Sequence, residues 1–146
     1  KKMDEAGINI ALGTDGVASN NSHDMFEEMK TAALLQKGVN LDPTLFPAQK
    51  TVRMATRNGA AAQGRTGTGM IRAGMDADLV VLDASKPSLT PCHDPLSSIV
   101  YSARGSDVEM TMVRGKLLFE KGELLTVDWE RQRHDFYKIV VPRMFT

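Results

Sequence analysis

The pattern of apolar residues changes character across a stretch punctuated by Gly64, Gly67, Gly69 and Gly74, and the two sides demand different architectures. Upstream, Ile8 to Leu12 is apolar but for Asn9 and is bounded by Gly7 and Gly13, the pattern of a parallel strand buried on both faces. The small polar stretch Ala18-Ser19-Asn20-Asn21-Ser22 that follows reads as a loop. Asp24 with Glu27 resembles a capping box, and Met25, Phe26, Met29, Ala32, Ala33 and Gln36 then keep helical spacing up to Gly38, which predicts a helix over 24–37. After Asp42-Pro43 and Phe46-Pro47, a stripe of Ala48, Val52 and Ala55 ending near Asn58-Gly59 and a short turn at Ala60 to Gln63 closed by Gly64 predict two small helices. Downstream of the glycines, Leu79-Val80-Val81-Leu82 is a continuous apolar run that predicts a buried strand, and Asp94-Pro95 opens a helical turn through Leu96, Ile99 and Val100. Val108, Met110 and Met112 alternate with Glu109 and Thr111, and the tight turns Arg114-Gly115 and Lys121-Gly122 separate Lys116–Glu120 from Glu123–Leu125, an antiparallel meander. Trp129, Arg133, Phe136 and Val140 predict a closing helix from Asp128, broken before or at Pro142.

A chain of 146 residues is about one ordinary domain, too little for a complete core on each side of this change. The expected organisation is therefore that residues 1–65 finish one domain, 66–126 contribute strands to another, and 127–146 form a C-terminal helix, with most of both domains upstream. The opening Lys1-Lys2-Met3-Asp4-Glu5-Ala6-Gly7 reads as the end of an amphipathic helix closed by glycine, which fits a fragment. Eighteen Lys and Arg balance eighteen Asp and Glu, so no net field favours nucleic acid or an anionic membrane as partner. No apolar stretch has the length of a bilayer span, and the single cysteine, Cys92, cannot form an internal disulfide; a cytoplasmic protein is expected.

Asp15 is the leading candidate for chemistry. It sits in Gly13-Thr14-Asp15-Gly16 directly after the expected strand, where α/β barrels hold their catalytic groups. A short carboxylate on a rigid strand end suits a metal ligand or a proton acceptor, and equally an Asx-turn without any chemistry. Ser19, Asn20 and Asn21 either offer hydrogen bonds to a ligand or cap the helix that follows. His23 stands beside Asp24 in the same loop, where solvation competes with ligation; His93 next to Cys92 has no further Cys or His at ligand spacing, nor has His134. The run Gly64-Arg65-Thr66-Gly67-Thr68-Gly69 lacks the order of a phosphate loop and precedes a strand, so it reads as a turn. Met25 and Met29 at helical spacing read as core filler.

Five segments in this order resemble the C-terminal part of the metal-dependent amidohydrolases, nearest the 5-methylthioadenosine/S-adenosylhomocysteine deaminases of the chlorohydrolase-like subgroup. They are Ala11 to Gly16 with Ser19-Asn20-Asn21, Arg57-Asn58-Gly59-Ala60, Gly69 to Asp83, Asp94 to Val108, and Leu124 to Asp128. The resemblance implies an α/β fold: the last βα unit and helices of a (β/α)8 TIM barrel, plus C-terminal strands of a small β-sandwich. It implies one divalent metal, commonly zinc, held by an HxH pair, a further histidine and an aspartate that matches Asp15, with metal-bound water attacking C6 of an adenine ring and Asp15 taking and delivering the proton. An upstream glutamate is implied to protonate the purine ring. It further implies a small-molecule nucleoside substrate, a homo-oligomer, and a contribution of Ser19 and Asn20 to the substrate loop. No HxH occurs in the 146 residues, so the chain alone is expected neither to bind the metal nor to turn over substrate. Guanine or cytosine deaminases and triazine chlorohydrolases share such a tail, and a non-catalytic structural module is a third alternative.

Overall fold

The computed structural model describes residues 1–145; Thr146, the last residue of the expected C-terminal helix, lies outside the described residues. Helix α1 (Lys2–Glu5) ends as the sequence predicts. Gly7 adopts φ +70°, its N–H donates to Asp4 O at 2.9 Å, and Ile8 N–H donates to Met3 O at 3.0 Å, so two carbonyls of the last turn are satisfied by one reversal of the chain.

The run Ile8–Leu12 is not a strand, contrary to the sequence expectation: it has no ladder among the described residues, and Ile8 is exposed. A doubly buried parallel strand needs a neighbour on each edge and a layer on each face; among the described residues no strand flanks the run, and Leu12 packs on the helical core while Ile8 stays open. The polar stretch after it is not a plain loop either. Gly16 O accepts Ser19 N–H at 2.9 Å and Asn20 N–H at 3.0 Å, winding α2 (Val17–Asn20) before Asn21 turns left-handed at φ +63°.

Helix α3 (Met25–Asn40) begins where the capping residue predicts it. Asp24 accepts from Phe26 N–H at 2.8 Å, Glu27 and Glu28 lie in the positive first turn, and Lys37 in the last. The helix runs past Gly38, because Leu41 in a left-handed conformation (φ +52°) closes it in place of the glycine. Helix α4 (Ala48–Ala55) starts after Pro47, and a break at Thr56 (φ −124°, ψ −93°) separates it from α5 (Arg57–Ala62), which carries Gly59 inside it. Helix α6 (Pro95–Tyr101) is capped by Asp94, which accepts from Leu96 and Ser97 N–H; the Ser97 hydroxyl on the same carboxylate holds it below the ordinary aspartate range. Helices α3, α4 and α6 pack on one another around Met29, Ala33 and Val100, with Leu12, Phe26, Ala48, Val52 and Tyr101 at the margin.

The strands form the predicted meander: β1 (Leu79–Leu82), β2 (Val108–Val113), β3 (Lys116–Glu120) and β4 (Glu123–Leu124), antiparallel in sequence order. Arg114-Gly115 (φ +48°, +76°) and Lys121-Gly122 (φ +49°, +89°) are two-residue turns with both central residues left-handed, the geometry that follows strand twist. β1 is not buried as its sequence predicts. Val80 is 56% and Val81 43% exposed, and consecutive strand residues point to opposite faces, so both faces of this edge strand are open.

The C-terminal segment is helical but interrupted: α7 (Trp129–Asp135), a π-helical turn over Phe136–Val140, and α8 (Val141–Met144). Pro142 does not end it. The π turn widens the ladder just before the proline, which relieves the clash its ring makes with a carbonyl four residues earlier.

The total accessible surface is 10459 Å² for a 16.0 kDa chain. A compact monomer of that mass exposes about 7,400 Å² by the surface-to-mass relation. The excess lies where apolar side chains are open: Val80 and Val81 on the sheet, Trp129, Tyr137 and Met144 in the C-terminal segment.

Candidate functional site

Asp15 stands at the end of the extended run, exposed, with its backbone in the left-handed region at φ +59°. Asp tolerates that conformation better than most residues because its short carboxylate bonds locally, and here Oδ1 accepts Gly16 N–H at 2.8 Å while Thr14 Oγ1 donates to Asp15 O at 3.1 Å. The turn fixes one carboxylate oxygen. Oδ2 has no hydrogen-bond partner among the described residues.

The other sequence candidates are distributed unevenly around it. Asn20 is committed: its Nδ2 donates to Glu28 Oε1 at 2.5 Å, which ties α2 to α3 instead of capping α3. Ser19 is exposed on α2. Ser22, not Asn20 or Asn21, supports the cap, accepting Asp24 N–H at 3.0 Å. His23 is exposed, His93 is exposed, Cys92 Sγ lies 3.5 Å from Ser98 Oγ, and His134 Nδ1 lies 3.4 Å from Asp135. The Gly64–Gly69 run is a turn, as its sequence predicts, with Gly64 and Gly69 left-handed.

Sequence reasoning missed Asp24's second role. Its Oδ1 caps α3 and its Oδ2 accepts Gly105 N–H at 2.8 Å, so one carboxylate joins the loop after Asp15 to the connection entering β2. It also missed Asp78, whose carboxylate receives Thr68 Oγ1 at 2.7 Å, Arg65 at 3.1 Å and Arg114 N–H at 2.8 Å. These donors, Thr68 first, hold its carboxyl below the ordinary aspartate range. Both partners of each bond are far apart in sequence, and no local pattern marks them.

A catalytic metal of the kind the resemblance implies takes three protein ligands. Among the described residues no group of three or more His, Cys, Asp or Glu side chains comes together in a way that could hold one. Asp15 is one candidate oxygen ligand for such a metal, and the HxH pair that the resemblance implies is not in these 146 residues, so the described residues alone do not complete the site. A groove of about 620 Å³ runs along the C-terminal segment, lined by Trp129, Arg133, Phe136, Tyr137 and Val140 among others, and it does not include Asp15. No described helix is long and apolar enough to cross a membrane.

The order of these parts, an extended run ending in a carboxylate turn, a helical layer and a meander, has counterparts among known proteins. The chain belongs to the amidohydrolase family, which its residues 1–118 match. A 5'-deoxyadenosine deaminase of Methanosarcina barkeri is 53% identical over 137 residues, 94% of this chain and 32% of that protein. A 5-methylthioadenosine/S-adenosylhomocysteine deaminase of Moorella thermoacetica is 47% identical over 145 residues, 99% of this chain and 33% of that one. Among solved structures, an adenosine deaminase of Xanthomonas campestris with bound zinc superposes with a TM-score of 0.89 at 39% identity, over 93% of this chain and 31% of that chain. A zinc complex of atrazine chlorohydrolase from Arthrobacter aurescens superposes at 0.83 with 26% identity, over 91% and 30%. The chain thus spans about a third of the length of the relatives it matches.

Proposed function

We propose that this chain is the C-terminal part of a metal-dependent hydrolytic deaminase acting on the adenine ring of 5-methylthioadenosine/S-adenosylhomocysteine-type nucleosides. The observation that carries the reading is the 47–53% identity, over nearly the whole chain, to relatives named for that chemistry. On this reading residues 1–65 close the barrel, 66–126 give strands to a small β-sandwich, and 127–146 form the C-terminal helix. The large excess surface supports it, since the open faces of β1 are those a covering layer would bury. Association of the complete protein into a homo-oligomer is part of the same reading. The balanced charge and lone Cys92 favour a cytoplasmic enzyme with a small-molecule substrate and no nucleic acid or membrane partner.

Within such an enzyme a divalent metal, zinc by analogy with the solved relatives, supplies electrophilic activation of water. Asp15 is the residue of this chain that serves the site. Its turn holds Oδ1 on Gly16 and leaves Oδ2 without a hydrogen-bond partner among the described residues, so that oxygen would be free to take a proton from the water and hand it to the departing ammonia. On this reading Ser19, exposed on the same turn of helix, contributes to the substrate loop, and Asn20 holds that turn through Glu28.

The test joins this chain to the two thirds of the Moorella relative that it does not cover, supplies zinc, and measures ammonia from methylthioadenosine, S-adenosylhomocysteine and 5'-deoxyadenosine. Release is expected from the joined protein and none from the isolated chain. Asp15→Asn lowers kcat by about 10²–10⁴-fold, the usual contribution of a positioned proton acceptor. Halide release from a chlorotriazine without ammonia from any nucleoside would sink the deaminase reading in favour of a chlorohydrolase.

A further inference from the structure

The run Ile8–Leu12 is extended without a strand beside it among the described residues, yet its position decides where Asp15 stands. What holds it is the junction of α4 and α5. Leu12 N–H donates to Met54 O at 3.1 Å, one of the carbonyls left without a helical partner at the end of α4. Asn58 Nδ2 donates to Ile10 O at 2.9 Å, and Asn9 Nδ2 donates back to Asn58 O at 3.0 Å. Asn58 therefore gives a side-chain donor and a main-chain acceptor to the same short segment, as a neighbouring strand would.

This exchange admits one register only. Asn9 is the single amide side chain between Gly7 and Gly13, so a slip in either direction leaves Asn58 O facing a residue that cannot donate from its side chain. A one-residue slip moves the chain by about 3.3 Å. Metal–ligand distances tolerate about 0.2 Å, and a misplacement of about 1 Å costs on the order of 10²-fold in rate. α5 is itself fixed from the other side: a Cβ on Gly69 would lie 2.9 Å from Arg57 Cα and from Ala60 Cβ, so this loop presses directly on the helix that carries Asn58.

We infer that Asn58 is a positioning residue that sets the register of the run and, through it, the place of Asp15; the consequence for catalysis rests on the deaminase reading above. The test uses Asn58→Ala and Asn58→Asp. The aspartate keeps size and shape but cannot donate to Ile10 O, so a residue that merely fills space would be replaced by it without effect. In the joined, zinc-supplied protein both variants are expected to lower kcat at least tenfold while KM for the nucleoside changes less than threefold. Both are also expected to raise amide exchange at Leu12 at least tenfold, in the joined protein and in this chain alone. Wild-type exchange at Leu12 in Asn58→Asp overturns the inference, as does wild-type kcat with the exchange raised. Absence of ammonia release from the unsubstituted joined protein instead overturns the deaminase reading, and the exchange measurement then decides the register claim by itself. Asn9→Ala, which removes only the return bond, reproduces the exchange effect in a variant that leaves the α4–α5 junction untouched.

Discussion

The helices α3, α4 and α6 and the strands β1–β4 come from one chain and meet very different fates. In the helical layer Ala33 and Val100 are wholly buried, and Met54 and Thr51 nearly so or completely; no residue of any strand is buried. The helices close a core because three apolar stripes face one another. The sheet has correct turns and a continuous ladder but no layer on either face of β1, so its order rests on hydrogen bonds and on the loops that join it to the helices, Asp24 to Gly105 and Asp78 to Thr68. Hydrogen bonding and turn geometry are thus enough to define a meander, whereas burial requires a partner surface.

The largest expected consequence falls on the helical side. Met54 is 1% exposed at the centre of α4, and Met54→Ala removes its packing and leaves a cavity. The cost is about 2–5 kcal/mol in urea-induced unfolding followed by far-UV circular dichroism. A loss below about 1 kcal/mol would mean that the helical core is no better packed than the sheet and would remove the contrast.

That contrast also explains what was legible in the sequence. Elements specified by near neighbours were readable: the Asp24 cap of α3, the Asp94-Pro95 start of α6, and the glycine turns at 114–115 and 121–122. Elements whose state depends on distant surfaces were not. Ile8–Leu12 and Leu79–Leu82 carry the composition of buried strands, but composition states a requirement for burial and does not supply the covering layer. Of the site, Asp15 was legible as a carboxylate in a glycine turn, while Asn58's hold on the run and Asp24's bond to Gly105 depend on contacts across 48 and 81 residues.

The junction between the two regions gives an intermediate effect. Gly69 is left-handed at φ +87° and lies against α5, so Gly69→Ala meets both an unfavourable backbone conformation and the main chain of Arg57. Overpacking of this kind costs about 1–3 kcal/mol. Because the contact is with backbone, no side-chain rotamer relieves it, and α5 must move; raised amide exchange at Leu12 should accompany the loss of stability. A variant that is destabilised with Leu12 exchange unchanged would show that the loop and the Asp15 run are independent.

The smallest effect belongs to the open strand and tests the contrast most directly. Val80→Thr keeps the branched shape that suits a strand and adds one hydroxyl. In this chain Val80 is 56% exposed, water can hydrate that hydroxyl, and the change in stability should stay within about 0.5 kcal/mol. In the joined protein, a layer laid over this face would strip that water away, and the same substitution should then cost about 1–3 kcal/mol, the penalty for burying an unpaired hydroxyl. Equal small effects in both settings would mean the face stays open and the sandwich assignment of residues 66–126 is wrong. A large effect already in the isolated chain would mean that the sheet finds its cover without help, by self-association, and gel filtration of the two variants at matched concentration separates that outcome from a monomer whose strand is buried.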